Sequence, residues 1–406
     1  MEEKINILQL APRYIFPPDD GGKIGIANIT KCFSKAGADV TFFTFDNGDI
    51  TEEQKKLIAP YASLKLFPHS TDNTPLRIFQ SLFWRDSLYI RKHFSPGVLS
   101  YLDRLCQEKK FDIIHIDHSA MAPLAIEIKK RYSIPAGLRL HNIEWTIWQR
   151  YADVLPRFHP KKIYVQSQTR KLKHNETSIL KHVDVAFAIT PEDKKRALEL
   201  NPDLNVTVTS AGVNTDEWQP ASNIKRNPHE LIIATTYYWQ HNRDALKWFI
   251  ENVMEQLKKQ IPEIKLTLLG KNIPADFYLY KEYGVNPIGY VDKVQPYLNR
   301  AGIYISPLFV GGGIRIKILE AMAMELPVMA SPVAAEGIDA NNDNGLFICR
   351  SVGDFISNIT SLINDDSKRE KGGKSARSFI RNHFSWEKNV NIMIGEYEKI
   401  KKSIDD

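Results

Sequence analysis

Cysteine is scarce in this sequence: Cys32, Cys106 and Cys349 are its three, far apart and outside any CxxC or histidine-flanked spacing. An odd, scattered set argues against a disulfide framework and against a zinc centre, and a reducing compartment, the cytoplasm, is the expected setting. Also missing is any run of about 18 apolar residues, so no segment is expected to span a bilayer. The first residues, MEEKINILQL, are acidic and lead straight into a strand pattern, so an ordinary signal peptide is not expected. One-signed charge is weak as well. The 54 basic and 48 acidic residues leave +6 over 406 residues, too thin an excess to point to nucleic acid. It suits an anionic ligand or an acidic membrane surface. Low-complexity tracts and short repeats are absent.

What is present is a globular composition, 43% hydrophobic and 25% charged. The length exceeds one ordinary core and predicts two domains of about 200 residues each. Short apolar runs alternate with helical patterns along nearly the whole chain. Strands are expected at Ile5–Leu10, Val40–Phe45, Phe111–Asp117, Ile134–Leu140, Val183–Ile189 and Val206–Thr209. After the polar stretch SAGVNTDEWQPASNIKRNPHE the alternation restarts, at Leu231–Thr235, Lys265–Leu269, Val285–Tyr290, Ile303–Ser306, Pro327–Ala330 and Leu346–Cys349. The economical solution is α/β: two doubly wound Rossmann-like domains facing across a cleft. The expected boundaries are 1–212 for the first domain, 213–229 for a linker and 230–385 for the second domain. A last helix over 386–406 is expected to return toward the first.

The stretch IYISPLFVGGGIRIKILEAMAMELPVMASPVAAEGI, from Ile303 to Ile338, reads as strand, glycine turn, helix, strand. In that layout the backbone amides at a helix start face a ligand at the carboxyl edge of a sheet. Arg315 and Lys317 are expected in the helix's first turn, where the positive end of the dipole disfavours cations by roughly 0.3 to 1 kcal/mol each. A bound phosphate or diphosphate would compensate both. The other reading pairs Lys317 with Glu320 three residues later and leaves Arg315 to water.

Nearer the amino terminus, the loop APRYIFPPDDGGK joins the first strand to a helix expected from about Ile24 to Lys35, and Asp46 closes the next strand. That outline is shared with dinucleotide sites. The GxGxxG pattern is absent, and Gly21, Gly22 and Gly25 lie about ten residues past the strand, so a nicotinamide fold is the weaker reading. Two further strands end in polar clusters, Asp117, His118 and Ser119 after one, and His141, Asn142 and Glu144 after the other, whose own last residues include Arg139. Polar clusters at successive strand ends point to one site. The segment LRIFQSLFWRDSLYIRKHF, Leu76 to Phe94, carries aromatics among Arg77, Arg85, Arg91 and Lys92. It reads either as an interfacial or acceptor-gripping surface or as an amphipathic helix with its aromatics in the core. The basic helical stretch from Lys161 to Lys181 reads mostly as a solvated face.

SPLFVGGGIRIKILEAMAMELPVMAS resembles the signature of the retaining glycosyltransferases of family 4, the group 1 glycosyltransferases, which have the GT-B fold. SAGVNTDEWQP is similar to the family's interdomain stretch, and the loop at Gly21 and Gly22 and the run ATTYYWQHNRDALKWF look like further landmarks. The resemblance implies a retaining, metal-independent hexosyltransferase of polysaccharide biosynthesis. It would move a sugar from a UDP or GDP sugar, as donor substrate rather than cofactor, to a saccharide or lipid-linked acceptor.

Carried over residue by residue, Glu320 matches the second glutamate of the family's pair and would hold the ribose hydroxyls, at about 1.5 to 3 kcal/mol per charged hydrogen bond. Arg315 and Lys317 would stabilise the leaving diphosphate in place of a metal ion, and His118 would contact the transferred sugar. Gly21, Gly22, Gly312, Gly313, Ile314 and Glu336 would line the donor. Arg139, His141, Asn142 and Glu144 are the expected acceptor or sugar pocket. Two departures stand out. Gly312 occupies the place of the family's first glutamate, and TTYYWQHNRDALK offers Arg243 and Lys247 where many members carry an Arg and a Lys for the diphosphate. The glycine departure keeps open a non-catalytic sugar-nucleotide-binding subunit as the alternative, ahead of a dinucleotide-dependent oxidoreductase. The expected location is the cytoplasm, with peripheral contact at the inner face of the membrane through the aromatic and basic segment.

Overall fold

The computed structural model describes residues 4–18, 21–156, 160–222, 225–310 and 314–405. The chain divides into two compact units, residues 1–210 with 386–406, and residues 211–385. Each is built on one parallel sheet.

The first unit contains β1 (Asn6–Leu10), β2 (Asp39–Asp46), β3 (Ser63–Pro68), β4 (Ile113–Ile116), β5 (Ala136–Leu140), β6 (Val185–Ala188) and β7 (Asn205–Val208). They pair in the order β3-β2-β1-β4-β5-β6-β7, every neighbouring pair parallel. A strand covered by helices on both faces has no polar side, so β4 and β6, IIHI and VAFA, are buried at every position. One face packs Leu8, Ile114, Leu138 and Ala186 under the helices after β4 and β5. The other packs Ile7, Phe42, Ile113 and Phe187 against the helix Gly21–Lys35 and the chain's last helix, Trp386–Asp405. Alternate residues of each strand thus supply the two cores.

The second unit contains β8 (Asn227–Ala234), β9 (Lys265–Leu269), β10 (Val285–Gly289), β11 (Ala301–Ser306), β12 (Val328–Ala330) and β13 (Leu346–Ile348), in the order β10-β9-β8-β11-β12-β13, again parallel throughout. Close approach requires glycine at several positions of this unit, Gly270 and Gly302 among them. At Gly270, with φ +138°, a Cβ would stand 1.6 Å from the Thr235 carbonyl oxygen, and at Gly302 one would stand 2.7 Å from that of Asn227. Residues 213–229, the expected connector, lie with this unit. Val213 donates its amide to Phe384 at 2.7 Å, and Arg377 donates to the carbonyls of Thr215 and Trp218 at 3.0 and 2.8 Å.

Twelve strands correspond to the expected runs, within two residues at most ends. The unexpected one, β3, is a half-exposed edge strand, SLKLFP, without a continuous apolar signal. The segment expected as one helix over Leu76–Phe94 is broken instead. It forms a short helix Pro75–Gln80, a turn, and a four-residue helix Leu88–Arg91. Thr74 and Ser87 each cap a new start.

Candidate functional site

In both sheets the chain runs outward through three strands and then returns to add the fourth beside the first: β4 beside β1, and β11 beside β8. Loops leaving such a pair diverge and open a crevice beyond the strands' carboxyl ends. Most of the expected site residues gather at these two reversals.

In the first unit Gly21 and Gly22 are the first two residues of the helix Gly21–Lys35 that follows β1. Neither glycine carries a side chain to stand between the helix-start amides and a ligand. Asp117, just past β4, turns into the core. Its carboxylate accepts from Gln9 Nε2 at 2.5 Å and lies 3.3 Å from His115 Nε2, while His115 Nδ1 meets the Tyr397 hydroxyl at 2.6 Å. This buried network fastens the last helix to the sheet.

His118 has other company. The Tyr89 hydroxyl lies 2.5 Å from its Nδ1, its ring stacks on His141 with centroids 5.3 Å apart, and Glu144 Oε1 is 3.7 Å from its Nε2. About a fifth of the side chain (21%) remains exposed, so a ligand can touch it. Arg139 is a buried residue of β5 and does not reach the surface. Its Nη1 donates to His141 Nε2 at 2.8 Å, which leaves the His141 proton on Nδ1.

Burial sets the protonation of this cluster. It pulls His118 down to about 4, with Arg13 and Arg139 adding to the effect, and it holds His141 far below the usual range. Burial pushes the Glu144 carboxyl up to about 7, against the hydrogen bond from Asn142. The helix Glu144–Val154 starts on a second carboxylate, Glu176, which accepts the amides of Glu144 and Trp145 at 3.1 and 3.0 Å. Glu176 is itself pushed up to about 8, by burial first, with its two amides opposing and Glu144 adding repulsion. At neutral pH both imidazoles are uncharged, and the two glutamates are poised to exchange protons. The Tyr89 hydroxyl is also 3.1 Å from His118 Nε2, so the ring sits between a tyrosine and a glutamate, with part of its surface open to solvent. The cluster therefore offers neutral imidazole and hydroxyl groups as hydrogen-bond donors and acceptors, which is what a sugar hydroxyl can use.

In the second unit the helix after β11 spans Ile316–Ala323. Arg315 therefore does not lie in its first turn, as expected, but at the N-cap in extended conformation, with φ −83° and ψ 94°. From there its guanidinium comes under the influence of Glu336, whose charge supports it against a burial that lowers its pKa. Lys317 is in the first turn, 2.9 Å from Glu320 Oε2 and over the Trp218 ring at 5.7 Å. The pairing reading of Lys317 is thus the one the structure shows, and carboxylates of the protein itself supply negative charge at this helix start.

Glu320 is buried on the helix, its pKa raised by burial, with Lys317 opposing. Only one of its oxygens is engaged by Lys317, so the other can accept from a ligand hydroxyl. Ile314 is half-buried and precedes Arg315, whereas Gly312 and Gly313 lie outside the described residues.

Arg243 and Lys247 do not reach for a ligand. Arg243 Nε donates to the Tyr237 carbonyl and braces the loop after β8, while Lys247 lies 3.9 Å from Glu251 on the helix surface. The sequence reading missed His241, which stacks on Trp239 at 6.2 Å and is held below its usual pKa by burial and then by Arg315. Its position in the first turn of the helix Gln240–Phe249 that follows β8 is the signal that would have found it. Tyr89 carried no comparable signal, because it reaches His118 from a helix distant in sequence.

Comparison with known proteins agrees with this architecture. Residues 20–217 match the family model for Glycosyltransferase Family 4, and residues 229–365 match that for Glycosyl transferases group 1. An uncharacterized glycosyltransferase of Methanocaldococcus jannaschii is 23% identical over 98% of each chain. Among solved structures, sucrose-phosphate synthase from Thermosynechococcus elongatus superposes with a TM-score of 0.70 at 15% identity, covering 98% of this chain and 100% of the other. Anabaena HepE in complex with UDP-glucose gives 0.61 at 13% identity, covering 97% and 99%.

Proposed function

We propose that this chain, a glycosyltransferase of the GT-B type, is a retaining, metal-independent enzyme that moves a hexose from a UDP or GDP sugar to a saccharide or lipid-linked acceptor in polysaccharide synthesis. One observation carries the donor reading: a carboxylate, Glu320, is buried on the helix that starts at the strand reversal, with Lys317 on one oxygen and Arg315 at the N-cap. A ribose diol would take the remaining carboxylate oxygen, and a diphosphate would meet the helix-start amides and Arg315. A neighbour of the same fold in complex with UDP-glucose supports a donor of that class.

In the reaction the bond between the anomeric carbon and the diphosphate oxygen breaks, and the electron pair leaves with the phosphate. An acceptor hydroxyl forms the new bond on the same face and gives its proton to the departing phosphate oxygen. Charge grows on the leaving group, so preorganised amides and cations lower the barrier. His118, neutral and partly exposed, would hold a hydroxyl of the transferred sugar through a ring nitrogen.

The test is a screen of UDP, GDP and their hexose derivatives for thermal stabilisation, followed by transfer assays with the stabilising donor. Stabilisation by one nucleotide class, lost in Glu320→Gln, and transfer with retained anomeric configuration are the expected results. Tight nucleotide binding with neither hydrolysis nor transfer over a broad acceptor panel would reject the catalytic reading.

A further inference from the structure

The segment Leu76–Phe83 is built to be displayed. The helix Pro75–Gln80 buries none of its residues. Leu76 is 64% exposed, Phe79 60% and Phe83 77%, with Leu82 also exposed, and the two phenylalanine rings sit edge to face with centroids 5.5 Å apart. These side chains are not in the core, contrary to the reading of this segment as an ordinary amphipathic helix.

Nor is the segment a loose loop. It is pinned to the helix Pro160–Leu180 by a set of hydrogen bonds: Ser81 Oγ with the Tyr164 hydroxyl at 3.0 Å, Lys171 Nζ to the carbonyls of Ser81 and Leu82 at 2.7 and 3.1 Å, and Gln168 Oε1 from the Leu88 amide at 2.8 Å. The residue before Tyr164 on that helix is Ile163, itself 70% exposed. A fixed backbone therefore presents large apolar side chains to solvent, an arrangement that costs free energy until something covers them.

The surrounding charge says what that is. Between Lys161 and His174 the helix carries Lys161, Lys162, Arg170, Lys171 and Lys173 without one acidic residue, and the displayed segment continues through Arg85, Arg91 and Lys92 against Asp86 alone. A protein partner of complementary shape would need its own dense acidic surface. A bilayer rich in anionic lipid has both parts: headgroup charge for the cations, and beneath it an acyl region for Phe79, Phe83 and Leu76.

We propose that this face of the first unit is a peripheral docking surface for an anionic lipid bilayer, with Phe79 and Phe83 as the inserting residues and the Lys161–Lys173 cations as the electrostatic collar. The proposal does not depend on the reaction assigned above, because it uses no residue of the candidate site.

Sedimentation of the full chain with vesicles tests it. Co-sedimentation is expected with phosphatidylglycerol-containing vesicles, much less with pure phosphatidylcholine, and it should weaken as salt rises. Phe79→Ser with Phe83→Ser should weaken binding at least about ten-fold, since each ring removed from the acyl region forfeits its transfer free energy. Because both rings are exposed, the melting temperature should not move. Arg85→Glu with Arg170→Glu should weaken binding and reduce its salt dependence. Three results would overturn the proposal: no binding to either vesicle, equal binding to both, or binding unchanged in the phenylalanine double variant. A self-association at these concentrations that the double variant abolishes would also overturn it, by making a second copy of the chain the occupant.

Discussion

The two strand reversals are built alike and equipped oppositely. Beyond β4 and β5 in the first unit, burial has driven the ionisable groups toward their neutral forms, with His118 near 4, His141 lower still and Glu144 near 7. Beyond β8 and β11 in the second unit, opposite charges are set against each other instead: Lys317 pairs with Glu320 and opposes the burial that pushes that carboxyl up, and Glu336 supports the Arg315 guanidinium. The first arrangement suits hydroxyls, whose recognition needs donors and acceptors but no net charge. The second suits a ligand carrying both a diol and phosphates, which can exchange with the internal carboxylates and cations group by group. Equal topology thus gives the place of a site, and local solvation gives its chemistry.

The sharpest way to break this contrast is at Glu320. Replacing it by Gln removes the charge that would hold a diol. Two charge-assisted hydrogen bonds at about 1.5 to 3 kcal/mol each amount to a loss of roughly 10²-fold or more in nucleotide affinity and in transfer. Calorimetry with UDP and GDP reads the first, a transfer assay the second, and an unaltered circular dichroism spectrum confirms the fold. Undiminished nucleotide affinity would remove the diol anchor from this unit.

A smaller effect is expected at His118. If the proposed division of tasks holds, His118→Ala should lower kcat/KM by roughly 10²-fold through lost contacts to the sugar while nucleotide affinity stays unchanged. Equal loss of nucleotide affinity would contradict that division. Tyr89→Phe should reproduce a tenth of this or less, since it removes one neutral hydrogen bond, about 1 kcal/mol, and leaves the imidazole in place. A kcat/KM for Tyr89→Phe equal to that of His118→Ala would mean that the tyrosine touches the substrate itself.

How far these features could be read from sequence follows the same division between topology and solvation. Strands buried on both faces announce themselves by unbroken apolar runs, as β6 does with VAFA and β4 does around its single buried His115. β3 did not, because half of it faces water. Residues immediately past a strand end, such as His118 and His141, were legible as site candidates by position alone. Arg139 was read beside them, but it lies within β5, and the inward turn of that one position makes it a support for His141.

Partners that arrive from elsewhere in the chain were not legible: Tyr89 for His118, Glu176 for Glu144, and Tyr397 for His115 come from 29, 32 and 282 residues away. Sequence periodicity also cannot say whether an aromatic stripe is covered, and Phe79 and Phe83 show the consequence. A core reading was reasonable from spacing and failed because the helix carrying Phe79 stops after six residues and leaves Phe83 in the turn beyond it.

The smallest predicted effect concerns pH, and it isolates the solvation of the first unit. Glu144 and Glu176 have an ordinary carboxyl pKa of 4.5 when unfolded and about 7 and 8 when folded, so between these limits the folded state binds more protons than the unfolded state. Their contribution to stability is fully present below the unfolded value and is lost as pH rises through the folded ones. His118 works in the other direction. Its folded pKa of about 4 lies below the unfolded 6.5, so its contribution is present above 6.5 and is lost as pH falls. Above pH 6.5 the histidine is silent and only the carboxyl pair acts.

The melting temperature should therefore decline between about pH 6.5 and 8, by up to about 1.4 kcal/mol per pH unit for each proton released, or several degrees for a domain of this size. Glu144→Gln removes one carboxyl and, with it, the part of the Glu176 shift due to repulsion, so the decline should shrink by about a third or more. Thermal scans at fixed ionic strength measure both curves. A wild-type melting temperature flat across this range would show that the Glu144 and Glu176 side chains are better solvated than the structure has them, and the contrast between the two units would lose its physical basis.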